Sequence, residues 1–343
     1  MDRAQLKETH PGTLFIDELE PEAMGTLLEE LLGLESVSSC SITQLGDGNM
    51  NLTRRVHIDG KDYAVKQSVP WVAKYPQIDA PWDRTIREAS FYQACISNKA
   101  VRSRMPRLLA TDLARRILVF QFIPKATDGS AIYDPEEVMD HGLGEQLGHF
   151  LAALHHTPID PKVSPMLTNR DMRTLNFEHI FDLPFRPDID LELDAHCPGL
   201  QDLARRIKSD GRLHRKATQL GNELYLSDGA QLIHGDFFPG SWLFTGDKVW
   251  IIDAEFAFLG NGIFDLAVAK AHLELAGKNE LFGHLLAGYL NETIETPDEK
   301  TLETLSAIEV LRRLIGVAQL DLDYDLKQRS NIVEEAAEKI WSY

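Results

Sequence analysis

Three cysteines in 343 residues, Cys40, Cys95 and Cys197, are too few and too scattered for a CxxC metal pair or a disulfide framework. No apolar run approaches the length of a membrane span, so no membrane partner is expected. The opening residues, Met1-Asp2-Arg3-Ala4-Gln5-Leu6-Lys7-Glu8, contain no apolar stretch of the signal-peptide kind, and a cytoplasmic location is the expectation. Positive charge is also in short supply. Against 53 Asp and Glu stand 35 Lys and Arg, a net charge of −18. That balance argues against nucleic acid as a partner, because phosphate backbones reward basic surfaces. There is no internal repeat and no low-complexity tract.

What the chain does contain is ordered in two parts. An amphipathic pattern over Asp17 to Leu34 predicts a helix, with Leu19, Met24, Leu27, Leu28, Leu31 and Leu32 on one side. Strands are expected over Val37 to Leu45, Thr53 to Ile58 and Tyr63 to Gln67, the last two joined by Asp59-Gly60, a two-residue hairpin signal. A loop with Pro70, Pro76 and Pro81 precedes a helix over Arg84 to Ile96, and strands follow over Arg107 to Thr111 and Arg116 to Ile123. Beyond Pro124 the chain is mostly helical, starting with Glu136 to His156, apart from short β runs such as Val249 to Ile252. Gly142-Leu-Gly-Glu-Gln-Leu-Gly148 has the wrong spacing for a dinucleotide fingerprint and reads as a site of close helix packing. The expected class is α+β and bilobal on the protein-kinase-like plan. Residues 1–124 would form an N-terminal lobe with an antiparallel sheet. Residues 125–343 would form a larger helical lobe with the catalytic and metal loops, and a hinge would lie near Gln121 to Asp128.

The chemistry-bearing residues cluster. In His234-Gly235-Asp236, Asp236 could orient or deprotonate an acceptor hydroxyl, with His234 structural. Asp253 and Glu255 follow a short apolar run, where they could hold Mg²⁺ against a nucleotide's phosphates, with Ser241 a weaker ligand. Asp-Ala-Glu would put both carboxylates on one face of an extended segment. Gly46-Asp47-Gly48-Asn49-Met50-Asn51 lies between strands, where the glycines let backbone N–H groups approach phosphates; a plain hairpin turn is the alternative. It is not a P-loop, since no Gly-Lys-Ser/Thr follows. Lys66, flanked by apolar residues in a strand, needs a partner if buried, and Glu88 on the next helix can supply it; an edge-strand lysine in solvent is the alternative. Arg312 and Arg313 sit in an apolar helix, either as a solvated stripe or as a pair lining the pocket of a polar acceptor. Together these residues point to ATP- and Mg²⁺-dependent phosphoryl transfer to a small molecule.

The same residues resemble the methylthioribose kinase family, within the aminoglycoside-phosphotransferase and choline-kinase superfamily. Asp47-Gly-Asn-Met-Asn51 is similar to that family's Asp-Gly-Asn-Leu-Asn turn, and Val65-Lys-Gln-Ser-Val-Pro-Trp-Val72 to its Val-Lys-Gln-Ala-Leu-Pro-Tyr-Val stretch. Asp83-Arg84 with Glu88, His234-Gly-Asp with Gly240-Ser241, Ile252-Asp-Ala-Glu-Phe-Ala-Phe258 and Leu311-Arg-Arg-Leu-Ile-Gly316 continue the likeness. The chain departs from it at Phe237-Phe238-Pro239, where the family has Leu-His-Thr, and at Trp82, which directly precedes Asp83. The resemblance implies a sugar-like acceptor, 5-methylthioribose phosphorylated at O1, bound by Asp236, Arg312 and Arg313. Nucleotide contacts would come from Gly46, Asp47, Gly48, Asn49, Asn51, Lys66 and Glu88, with adenine in the cleft near Gln121 and Ile123. Another deoxypentose, choline, homoserine or an aminoglycoside remain alternative acceptors, and a nucleotide-binding pseudokinase is the non-enzymatic alternative. A homodimer is left open.

Overall fold

The computed structural model describes residues 2–343 apart from Asp47, Asn49, Val138, Asp190, Ile294 and Glu295. Its N-terminal sheet has five antiparallel strands in the spatial order Cys40–Gln44, Leu52–Ile58, Lys61–Gln67, Ile117–Gln121, Leu108–Asp112. The hairpin between the second and third turns at Asp59 and Gly60, both with positive φ (46° and 81°), as a two-residue turn matched to strand twist requires. Alternation along these strands sends Val56, Ile58 and Val65 to one face. There they pack with Met24, Leu27 and Leu28 of the Pro21–Leu32 helix and with Phe15 and Ile16.

The second and larger core is built by the helices His141–His155, Ile263–Leu275, Asn279–Leu290, Glu299–Ile315 and Leu326–Ser342. It also takes in Phe91 and Ala94 from the Arg84–Ala94 helix, and that helix bridges to the N-terminal sheet through polar contacts, Arg84 to the Val69 carbonyl and Glu88 to Lys66. The chain leaves the sheet at Gln121, and Thr127–Asp128 then pairs with Trp242–Thr245, itself paired with Lys248–Ile251. Among the described residues, no helix is long and apolar enough to cross a membrane.

Several boundaries differ from expectation, among them the first long helix, which begins at Pro21 and not Asp17. The first strand begins at Cys40, not Val37, and the helix expected from Glu136 begins at His141. In the latter, Asp140 accepts a hydrogen bond from the Gly142 N–H at 2.7 Å and so sets the start as an N-cap.

The glycines of that helix do mark close packing. A Cβ on Gly148 would stand 2.0 Å from the Leu285 carbonyl oxygen, and one on Gly144 would stand 2.7 Å from that of Leu281. The obstacles are backbone, which cannot swing aside. Gly148→Ala is therefore expected to cost at least the roughly 1–3 kcal/mol of an overpacked core, read as a lower thermal midpoint.

Candidate active site

The strand Gln231–Ile233 delivers His234-Gly235-Asp236 to the cleft. Gly235 has φ +81°, and a Cβ there would meet the Phe256 carbonyl oxygen at 2.3 Å, so this position requires glycine. The loop backbone is held by Asp265, fully buried in the Ile263–Leu275 helix. Its two oxygens accept from the N–H groups of His234 (2.7 Å) and Gly235 (2.9 Å). His234 Nε2 bonds the Ile252 carbonyl at 3.0 Å, and burial holds its imidazole below the usual range, so it is neutral and donates there. His234 thus ties this loop to the next one, a structural role. Ser241 Oγ donates to the Asp236 carbonyl at 2.9 Å, which leaves only its lone pairs to offer a cation.

The second loop is not extended as expected. Asp253 is left-handed (φ 66°, ψ 49°), and Ala254–Phe256 forms a 3₁₀ turn. Asn169, itself left-handed, holds that turn by donating to the carbonyls of Glu255 (2.8 Å) and Ala257 (3.1 Å). The two carboxylates nevertheless converge, on Lys66. Lys66 Nζ pairs with Asp253 Oδ1, lies 2.6 Å from Glu88 Oε2 and lies 3.8 Å from Glu255 Oε2. The lysine is thus buried, not an edge-strand lysine in solvent.

Charge balance follows from this packing. Burial works against the Lys66 ammonium, but Asp253, Glu88 and Glu255 outweigh it and hold its proton more tightly than usual. Burial would also raise Asp253, yet Lys66 wins and keeps that carboxyl below the ordinary range. Glu88 goes the other way: burial pushes it up to about 7 despite Lys66.

In the glycine-rich turn, Gly46 and Gly48 have no neighbour within 4 Å of a Cβ position, while Asp47 and Asn49 lie outside the described residues. Asn51, expected at the nucleotide, is buried with its amide on Glu255 Oε2 at 2.6 Å. It sits between the turn and the second loop instead of facing open space. Gln121 ends its strand, with its side-chain oxygen 3.3 Å from Arg107 Nε, and buried Ile123 follows in the connecting segment.

Arg312 and Arg313 are buried, not a solvated stripe. Both pair with Glu309 one turn earlier: Arg312 Nη1 reaches its two oxygens at 3.0 and 3.1 Å, and Arg313 Nε reaches Oε1 at 2.7 Å. The arginines hold Glu309 well below the carboxylate range although burial opposes them. His272 Nε2 also bonds Glu309 at 3.1 Å, and its Nδ1 bonds the Tyr133 hydroxyl. Burial, helped by Arg313, lowers His272 to about 4, so it is neutral. Its Nε2–H then donates to Glu309, and Nδ1 accepts from Tyr133.

Asp236 belongs to the same neighbourhood. Burial pushes its carboxyl up to about 7, with Arg312 and Arg313 pulling the other way. Of the departures from the family pattern, Phe237 is fully buried and stacked on Phe150, and Trp82 packs in the N-terminal core. Only Phe238 reaches the arginine cluster. Its ring lies 5.2 Å from the Arg313 guanidinium and 5.4 Å from the His272 ring.

Sequence reading did not single out Asp265, Asn169, Tyr133, His272 or Glu309 as functional. Asp265 left a signal, a lone acid in the apolar run Ile263-Phe-Asp-Leu-Ala-Val-Ala269. Glu309 left one too, its i,i+3 and i,i+4 spacing to Arg312 and Arg313, whereas Asn169, Tyr133 and His272 left none, because their partners are distant in the chain.

Comparison with known proteins adds an independent line. Residues 41–302 match the phosphotransferase enzyme family. A methylthioribose kinase of Exiguobacterium sibiricum is 27% identical over 257 residues, covering 71% of this chain and 64% of that protein. One from Bacillus pumilus is 26% identical over 350 residues, covering 88% and 86%. In fold, a spectinomycin phosphotransferase in complex with ADP and spectinomycin superposes with a TM-score of 0.55, at 14% identity over 95% of this chain and 98% of that one. A choline/ethanolamine kinase family protein from Mesorhizobium loti gives 0.52, at 16% identity over 94% and 93%.

Proposed function

The chain belongs to the phosphotransferase enzyme family, and from that premise we propose that it transfers the γ-phosphoryl group of ATP to a sugar hydroxyl, with 5-methylthioribose phosphorylated at O1 as the reaction. The observation that carries this reading is Lys66 paired with Glu88 and Asp253, with Glu255 beside them, and Asp236 lying in the field of Asp253 and of the Arg312–Arg313 pair. Lys66, kept cationic by Glu88, exchanges Asp253 for the nucleotide's α- and β-phosphates under the Gly46–Asn51 turn. The residues fit a divalent cation: Asp253 is partly exposed, and Glu255 Oε1 is buried with no partner among the described residues. Mg²⁺ held there by Asp253 and Glu255 would neutralise charge on the β- and γ-phosphates. Adenine would lie along the connecting segment at Gln121 and Ile123. No described residue donates to the Asp236 carboxylate, so it is free to accept the acceptor's hydroxyl proton and aim the oxygen.

The acceptor cluster also speaks to substrate class. Arg312 and Arg313 are offset by Glu309 and Asp236, which suits a neutral polyol better than a polycationic aminoglycoside. A quaternary ammonium such as choline wants an open aromatic face, and Arg313 already covers that of Phe238. Every residue named comes from one chain, so the site asks for no second copy, and a cytoplasmic setting would supply ATP and Mg²⁺.

An ATP-consumption screen over methylthioribose, 5-deoxyribose, ribose, choline and homoserine tests the proposal. Turnover on the pentoses supports it; turnover on choline or homoserine alone, or on nothing, sinks it. The pH profile is a second check. Asp236 must be ionised to accept a proton, so kcat/KM should fall tenfold per pH unit below a midpoint near 7, where the carboxyl titrates. A flat profile between pH 5 and 8 would contradict its role as base.

A further inference from the structure

Arg84 opens the Arg84–Ala94 helix one turn before Glu88, and none of its surface is exposed. A buried guanidinium presents five N–H donors that need partners. Nη1 donates to the carbonyls of Val69 (3.0 Å) and Pro81 (2.6 Å). Nη2 donates to the Met50 carbonyl (2.6 Å) and to Asn51 Oδ1 (3.1 Å), with the Trp71 carbonyl at 3.5 Å. Nε lies 3.3 Å from Glu255 Oε2 as an ion pair, outside hydrogen-bond geometry. Asn51 closes the figure, since its own amide donates to that same oxygen at 2.6 Å. Three buried residues from the exit of the glycine-rich turn, the bridging helix and the second acidic loop therefore touch pairwise.

We propose that Arg84 is a positioning residue that couples the glycine-rich turn to the metal loop through Asn51 and Glu255, so that cation binding and the order of the turn are linked. The proposal rests on the phosphotransferase reading for the identity of the ligand, a divalent cation with a nucleotide. Asn51 hydrogen-bonds Glu255 Oε2 and the Arg84 guanidinium stands against the same oxygen as an ion pair, and together they fix where the unpartnered Oε1 points. Outer partners of this kind orient a ligating carboxylate and set its affinity. Coupling is reciprocal: if the triangle tightens the cation, the cation tightens the turn by the same factor. Arg84 also grips the Met50 carbonyl, so the linkage reaches the backbone of the turn as well as a side chain.

A purely structural Arg84 would matter to stability alone, which separates the two roles by experiment. Asn51→Ala removes one arm with little burial lost, and Arg84→Lys keeps the charge but loses the fork. The readouts are the Mg²⁺ concentration that half-saturates binding of a non-hydrolysable ATP analogue, hydrogen exchange of the Met50–Thr53 amides with and without Mg²⁺, and the ligand-free thermal midpoint. Asn51→Ala is expected to raise the Mg²⁺ requirement about 10-fold or more, within the range of outer-partner losses, and to abolish protection of those amides by Mg²⁺. Arg84→Lys should do the same with a lower midpoint. Wild-type Mg²⁺ half-saturation and protection in both variants, with only the midpoint reduced, would overturn the proposal. Failure of the phosphotransferase reading looks different, because the wild-type protein would then bind no Mg²⁺–nucleotide at all.

Discussion

Asp236→Asn is expected to lower kcat by about 10²- to 10⁴-fold, the usual worth of a positioned general base, with the KM for the acceptor nearly unchanged. The asymmetry follows from the geometry. Asparagine keeps the size of the side chain and leaves the hydrogen-bonded Arg312–Arg313–Glu309 cluster in place, so the proposed acceptor contacts at the arginines survive. What it removes is the negative oxygen that takes the proton. The same variant carries a stability signature. The folded-state carboxyl titrates near 7, above an unfolded aspartate, so the native protein holds the extra proton between those values and loses stability as pH rises through that window. Asp236→Asn should therefore be more stable than the wild type above pH 7 and no different below pH 4, measured by denaturant titration. Equal stability at both pH values would show that Asp236 is not in a charge-averse site.

Lys66→Met is expected to cost about 10²–10³ in kcat/KM, as for removal of a donor aimed at developing charge, and to destabilise the fold as well. Removing one member of a buried ion pair typically costs about 3–5 kcal/mol, because the partner is left buried and unmatched. Here the partner is Glu88, with 2% of its side chain exposed, already pushed up to about 7 with the lysine beside it. Without Lys66 it would rise further and stay protonated in the folded state while ionising in the unfolded chain. Stability of Lys66→Met should then fall as pH rises from about 5 to 8, since the folded state binds the extra proton there. Adding Glu88→Gln in the Lys66→Met background should recover stability and flatten that dependence without restoring turnover. Recovery of activity in the double variant would show that Lys66 serves only to neutralise Glu88.

Local chemistry made part of this structure legible in the sequence. Asp59-Gly60 announces its turn because both residues tolerate positive φ, and Lys66 announces a partner because an ammonium among apolar neighbours needs one. The arginine pair was readable as a solvated stripe or as a pair lining an acceptor pocket, and burial with Glu309 rules out the stripe. Other features are set by contacts far away in the chain. Asp253 is left-handed where strand continuation suggested an extended Asp-Ala-Glu, and the turn is held by Asn169 and by Lys66 across the cleft. Local propensity contains neither partner. Asn51 shows the same limit: its place in a glycine-rich turn suggested phosphate contact, while Arg84 and Glu255 draw it inward. The Tyr133–His272–Glu309 chain spans the Gly129–Tyr133 3₁₀ turn and two helices, and only packing brings its members together.

The central claim, phosphoryl transfer from ATP to a sugar hydroxyl aimed by Asp236, is tested most directly by following the label from γ-labelled ATP in the presence of Mg²⁺ and 5-methylthioribose. The expected result is labelled sugar phosphate, esterified at O1 and formed one-for-one with ADP, with Asp236→Asn reduced by the factor given above. Labelled choline in place of labelled sugar, or release of free phosphate with no labelled acceptor, would contradict it.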